Sequence, residues 1–338
     1  MAVKHLLLAL VFVALSLSLF LGFVLTAVFL PPPQRAGKIE VKVERGEPFS
    51  SVVRKLKDRS VITSEKLFSF WARLRGLDKK IHWGFYRFEL PLAPAAALDQ
   101  MIPERGLFSR VTVPEGLTLR EVADLLEKAE IARKERLLAE AASQELLSQL
   151  ELEGKGIEGY LFPDTYYFPP STTEREILIE MVEQFHDVFN SMMQEQSKEL
   201  GLTPHEVVII ASLIEKETGV ESERPLVSAV FHNRLKIKMP LQSDPTVIYG
   251  LPNFSGNLTR KNLQSPSSYN TYRIKGLPPG PICNPGLSSL KAALSPAPTP
   301  YLYFVSKNDG SHFFSVDLKD HNQAVKLYQG GGRRAGGP

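Results

Sequence analysis

211-ASLIEKETG-219 ends a strongly apolar helix with a lysine set between two glutamates. Val207, Val208, Ile209, Ile210, Ala211, Leu213 and Ile214 place apolar groups on too many sides for a surface helix, so most of it is expected to be buried. Gly219 is the expected C-cap. At about 100° per residue, Glu217 shares a face with Ile210, Leu213 and Ile214, whereas Glu215 lies roughly 160° round, nearer Val208 and Ser212. A carboxyl held over the most apolar wall is desolvated. Burial disfavours its charged form and raises its pKa, as a general acid working near neutral pH requires. The plainer alternative makes both glutamates helix-end residues that reach solvent or pair with Lys216 and Arg224.

The rest of the composition narrows the chemistry. Across 338 residues, 40 Lys and Arg nearly balance 37 Asp and Glu, which argues against nucleic acid as a partner. Hydrophobic content of 43% suffices for real cores. The single cysteine, Cys283, excludes internal disulfides and a thiolate zinc cage, and reads as a small buried hydrophobe. Seven scattered histidines include no H-x-x-x-H pair, so neither a metal nor a cofactor is expected.

From Leu6 to Leu30 there is no charged residue. As a helix this run is about 37 Å long, enough to cross a hydrocarbon core of about 30 Å. The run exceeds a signal-peptide h-region and no A-x-A site follows, so an uncleaved single-pass anchor is preferred to a signal peptide. Residues 1–30 are then a cytoplasmic tip and transmembrane anchor, and 31–38 (PPPQRAGK) a Pro-rich linker.

A strand–turn–helix pattern follows twice, in 39-IEVKVERGEPFSSVVRKLKDRSVI-62 and 110-RVTVPEGLTLREVADLLEKAEI-131. The unit resembles LysM-type modules, which bind N-acetylglucosamine-containing glycans; a structural spacer is the other reading. Between the copies, 83-WGFYRFEL-90 alternates as a strand whose aromatic residues suit a core better than a sugar platform. Residues 39–156 are taken as the LysM-like α+β module, 157–328 as a larger α+β domain containing the buried helix, and 329–338 as a disordered tail. In the larger domain, helices are expected over about 173–201 and 222–235. A Pro/Gly/Asn-rich stretch over 236–300 is expected to form packed loops around a site. A hairpin is expected from YLYFV and HFFSV about 307-KNDG-310, with a last helix over 318–328.

Several phrases occur together and in order: 159-GYLFPDTY-166, 215-EKET-218, 231-FHNRL-235, 241-LQSDPTVIYG-250, 269-YNTYRIKGLPPGPI-282, 284-NPG-286, 289-SLKAAL-294 and 299-TPYLYFV-305. Over residues 157–325 they closely resemble the MltG/YceG-like family, membrane-anchored endolytic murein transglycosylases. The resemblance implies a bacterial cytoplasmic (inner) membrane protein with its catalytic domain on the extracytoplasmic side. It would cleave the β-1,4 bond between N-acetylmuramic acid and N-acetylglucosamine in nascent peptidoglycan, leave 1,6-anhydro-muramoyl ends and terminate strand elongation. Peptidoglycan synthases are the protein partners it implies. The family's catalytic glutamate, the second of its E-K-E-T motif, corresponds to Glu217, which the helix-face argument selects separately.

Candidate substrate contacts are Asn233, Gln242, Ser243 and Asp244, which offer hydrogen bonds to N-acetyl and hydroxyl groups, and Tyr269, Asn270 and Tyr272, in a loop suited to stacking on sugars. Arg234 or Arg273 would face lactyl or peptide carboxylates. For each, loop scaffolding is the alternative. Asp244 is the best partner carboxylate for a hydrolytic muramidase, although its place before Pro245 suits a cap for the following helix. A non-catalytic glycan-binding scaffold is a further alternative.

Overall fold

A computed structural model of the chain describes residues 2–33, 36–103, 108–152, 156–170, 172–252 and 254–329. The expected tail lies, from residue 330 on, outside the described residues, as do linker residues 34 and 35 and the glycine at 154. The fold mixes helices with short two-stranded pairs and opens with one apolar helix, α1 (Ala2–Phe29). Its segment Leu10–Phe29, with mean hydropathy 2.5, is long and apolar enough to cross a membrane.

By compactness the chain forms two units, Met1–Val111 with Tyr166–Glu176, and Thr112–Thr165 with Ile177–Pro338. In the first, β1 (Gly37–Val43) is followed by α2 (Phe49–Asp58) and α3 (Glu65–Leu74), then β2 (Gly84–Leu90) and α4 (Pro94–Gln100). β1 and β2 pair antiparallel, with Val41 opposite Tyr86 and Val43 opposite Gly84. Alternation turns Val41, Val43, Tyr86 and Phe88 inward, onto Val52, Val53 and Leu56 of α2 and Phe68 and Ala72 of α3. Tyr86 and Phe88 are therefore core. Trp83 and Phe85 lie partly buried under Arg45 and Lys42, with the cations 5.5 and 5.3 Å from the rings.

The two sequence copies part company in space. β3 (Ser109–Thr112) leads out of the first unit and finds its partner in β4 (Thr165–Phe168), far downstream. The second copy's helix, α5 (Leu119–Lys128), packs on α6 (Lys134–Ala141) within the second unit. By compactness the stretch 39–156 is divided after residue 111.

The second unit continues with α7 (Gln144–Gln149), α8 (Glu174–Val188) and α9 (Ser191–Glu199). The expected continuous helix over 173–201 is broken where Asn190 Oδ1 caps α9, accepting from the backbone N of Met192 and Met193. Then come α10 (Pro204–Glu217), α11 (Arg224–Lys236), α12 (Asp244–Tyr249), α13 (Leu287–Leu294), the hairpin β5 (Tyr303–Ser306) with β6 (His312–Ser315), and α14 (Leu318–Tyr328). Helix α10 starts with a capping box between Thr203 and Glu206, and every residue from Val207 to Ile214 is buried.

Asn284, fully buried, ties this unit together. Its Oδ1 accepts from Gly159 N at 3.0 Å and Leu161 N at 2.9 Å, and its Nδ2 donates to Leu117 O at 2.8 Å. Gly159 sits at φ +89°, and a Cβ there would lie 2.6 Å from Pro281, so glycine is required. Asn284→Leu would leave the buried N–H groups of Gly159 and Leu161 unpaired. The expected result is a loss of about 2–4 kcal/mol, read from the denaturant midpoint of the detergent-solubilised chain.

Candidate active site

Three consecutive charged residues close α10, and the helical rotation sends each to a different segment. Glu215 Oε2 accepts from Gly286 N at 3.0 Å, and its Oε1 lies 3.5 Å from buried Arg224. Lys216 Nζ donates to Gly116 O at 3.3 Å. Glu217 Oε1 accepts from Ser243 Oγ at 2.5 Å. The helix stops because Thr218 turns to extended backbone (φ −143°, ψ 131°), not through a left-handed glycine; the expected C-cap role of Gly219 is thereby corrected. Thr218 Oγ1 accepts from Val220 N at 3.1 Å and donates to Glu223 Oε2 at 3.4 Å, which fixes this exit.

Glu217 keeps a small accessible surface toward a cavity of about 450 Å³, while protein packs closely around the rest of the side chain. Burial pushes its carboxyl up to about 7, and the neighbouring Asp244 charge acts in the same direction. The Ser243 hydrogen bond and the Arg234 charge oppose the rise without cancelling it.

The serine is itself braced. Its N donates to Thr271 Oγ1 at 2.9 Å, and its carbonyl accepts from Thr246 Oγ1 at 2.6 Å. Gln242, just before it, takes φ +51°, a conformation uncommon for a residue with a Cβ, while its N donates to Thr271 O at 3.1 Å. Asp244 begins α12 but makes no side-chain cap, contrary to the expected capping role; its Oδ1 accepts from Tyr272 Oη at 2.6 Å. Burial and this carboxylate push the Tyr272 phenol well up, so it remains a donor.

Arg234 forms part of the cavity wall. Its Nε donates to Leu302 O at 2.7 Å and its Nη1 to Leu241 O at 2.6 Å, with the guanidinium carbon 5.4 Å from the centre of the Tyr303 ring. Of the residues singled out from sequence, Glu217, Gln242, Asp244 and Tyr272 line the cavity, and Ser243 reaches it through Glu217.

Asn233, Asn270 and Tyr269 do not line it. Asn233 Nδ2 donates to the carbonyls of Thr299 and Tyr301, and Asn270 Nδ2 to those of Leu263 and Ser265. Both amides are consumed by loop backbone. Tyr269 packs on Tyr249, ring centroids 4.8 Å apart. Arg273 donates to Gln264 O and is not among the walls.

The opposite wall was not foreseen. Tyr303 and Phe304 of β5, His312 of β6 and His321 of α14 face the same cavity. His312 Nδ1 lies 2.7 Å from Glu223 Oε2, and its backbone N donates to Glu223 Oε1 at 2.9 Å. These two contacts to one carboxyl fix the position of the His312 ring at the cavity wall. The sequence places these partners 89 residues apart, and the HFFSV strand by itself reads as plain hairpin. Cys283 is buried with its thiol donating to Ser212 O, and burial pushes its pKa up, so it packs as an apolar residue. Among the described residues no cluster of His, Cys, Asp or Glu could hold a metal ion.

This geometry can be set beside known proteins. The sequence model of the YceG-like family matches residues 41–327. An endolytic murein transglycosylase of Bacillus subtilis (strain 168) is 34% identical over 317 residues, covering 88% of each chain. One from Streptococcus pneumoniae (strain ATCC BAA-255 / R6) is 29% identical over 321 residues, or 85% of this chain and 58% of that protein. A crystal structure of a yceG-like protein from Listeria monocytogenes superposes with a TM-score of 0.59 at 30% identity, covering 85% of this chain and 98% of the other. With the family's sequence pattern running through both compact units, the chain belongs to the YceG-like family.

Proposed function

We propose that the chain is an endolytic murein transglycosylase and that Glu217 performs both proton transfers of its reaction. The observation that carries this reading is a single desolvated carboxyl, titrating near 7, at the wall of an open cavity. Protonated Glu217 gives its hydrogen to the glycosidic oxygen, which leaves as the O4 hydroxyl of N-acetylglucosamine while positive charge develops at the muramoyl C1. The resulting carboxylate takes the proton of the muramoyl C6 hydroxyl. O6 then bonds to C1, closing the 1,6-anhydro ring without water. Ser243 holds the carboxyl in place, and it can accept and lose a proton at neutral pH because its two forms are nearly balanced there.

Hydrolysis is the second reading, and Asp244 favours it by lining the same cavity. Its Oδ1 is occupied by Tyr272, which suits a charge that tunes Glu217 better than a base that activates water. The Glu217 site also argues against a purely glycan-binding scaffold, which has no use for a carboxyl raised to this degree.

The finer reading is of a single-pass inner-membrane protein whose α1 holds the site on the extracytoplasmic side, near emerging strands and the peptidoglycan synthases. In it the strand–helix units at 39–62 and 110–131 keep their LysM-like character, the first as the better candidate for glycan contact. Gln242 and Tyr272 are retained as substrate contacts.

Four outcomes are expected. Purified glycan strands treated with the chain yield anhydro-muramoyl ends, one water lighter by mass spectrometry than the reducing ends of hydrolysis. Glu217→Gln lowers that yield by about 10²–10⁴-fold. The wild-type kcat/KM falls as pH rises through about 7, following loss of the Glu217 proton, and a flat profile there contradicts the assignment. The fourth outcome concerns stability. Between the ordinary carboxyl value of 4.5 and the folded value of about 7, the unfolded chain holds fewer protons than the folded one, so stability falls as pH rises through this window. Glu217→Gln removes that loss. Relative to wild type, the variant is expected to be more stable by roughly 1–3 kcal/mol at pH 8 than at pH 4, read from denaturant midpoints.

A further inference from the structure

Helix α3 carries an apolar face that its own unit does not cover. Phe68 and Ala72 point into the core, and Leu67, Phe70, Trp71 and Leu74 occupy an adjoining arc of the same helix. At one edge of this arc the end of α1 is seated. Phe29 meets Trp71 edge-on with ring centroids 5.1 Å apart, and Leu67 lines a groove with Phe23, Thr26 and Leu30. At the other edge Phe70 is 57% exposed and Leu74 66% exposed. Exposed Lys66 and Arg73 lie beside Phe70 on the side away from Leu74, and exposed Glu65 lies farther round, about 140° from Phe70.

Phe29 is the last residue of the segment able to cross a membrane, so its contact with Trp71 holds α3 within about one helical turn, ~5 Å, of the hydrocarbon edge. We propose that the Phe70–Leu74 face of α3 lies in the head-group region of the membrane that α1 crosses, with Lys66 and Arg73 against lipid phosphates. The inference rests on the reading of α1 as an anchor. An amphipathic helix with a bulky apolar face and a basic rim has the makeup of an interfacial helix, and Trp is a residue of that depth. Two large apolar side chains beside a membrane exit are thereby covered, where an aqueous surface would leave them in water. The unit then meets the bilayer along a second line, so its tilt is fixed as well as its height.

The test uses the full chain in vesicles of phosphatidylcholine and phosphatidylglycerol, with acyl chains brominated near the head group as the quencher. Only Trp71 and Trp83 are present, so the background Trp71→Phe with Trp83→Phe is dark. In it, Phe70→Trp is expected to lose about half its emission on passing from plain to brominated lipid, and Glu65→Trp to change little. Equal quenching of both reporters, or none of either, overturns the proposal. A second measurement leaves α3's core side untouched: in Trp83→Phe, adding Phe70→Ser and Leu74→Ser should reduce the quenching of Trp71, and no reduction overturns the proposal. Flotation separates the two readings. A chain that fails to float with the vesicles defeats the anchor and this inference together, whereas one that floats with unquenched Phe70→Trp defeats this inference alone.

Discussion

Everything at the site depends on one constraint: a helix buried through Val207–Ile214 must end somewhere, and the two glutamates of its last turn must find partners where little water reaches them. α10 meets it by placing charged residues at three consecutive positions, about 100° apart, so that no two compete for the same partner. Glu215 takes a backbone N–H and an arginine, Lys216 takes a carbonyl, and Glu217 takes a hydroxyl. The difference in partner decides the difference in chemistry. Glu215 is bonded to a backbone N–H and lies close to a cation. Glu217 is buried, receives one neutral hydrogen bond and faces another acid, and its pKa rises to about 7.

The balance around Glu217 is a trade of stability for function. A second hydrogen bond or a directly paired cation would bring its pKa back toward 4.5, steady the fold, and remove the acid. Arg234 is near enough to pull in that direction, but its Nε and Nη1 are committed to the carbonyls of Leu302 and Leu241. Asp244 is in turn quieted by Tyr272, whose phenol keeps its hydrogen because burial and the carboxylate both oppose ionisation. The site therefore holds one carboxyl raised to about 7 and, beside it, a second carboxyl engaged by a phenol.

The sequence made Glu217 legible because helical periodicity is a local property: seven apolar residues and a fixed rotation suffice to say which glutamate faces the apolar wall. The β5–β6 hairpin and α14 were legible for the same reason, through alternation about a short polar turn and through 3.6-residue spacing. What could not be read were long-range partners. Asn233 and Asn270 have the chemistry of sugar ligands, yet their amides go to carbonyls at 299, 301, 263 and 265. His312 joins the cavity only because Glu223, 89 residues earlier, receives its Nδ1. The repeated strand–turn–helix pattern was visible, but not that the second strand pairs with β4 while the helix after it packs within the other unit.

The Pro-, Gly- and Asn-rich stretch between α11 and β5 shows how a loop region stays ordered beside a cavity. Backbone groups in loops have no ladder to satisfy them, so buried loops need side chains that donate to carbonyls or accept from N–H groups. Asn233, Arg234, Asn270 and Asn284 each serve at least two such backbone groups, and Thr246 and Thr271 close the network under Ser243. Polar residues crowd this part of the sequence chiefly because the loops need them as internal partners. Of this stretch, Gln242, Asp244 and Tyr272 are left facing the cavity, beside the one carboxyl that the scaffold leaves nearly uncompensated.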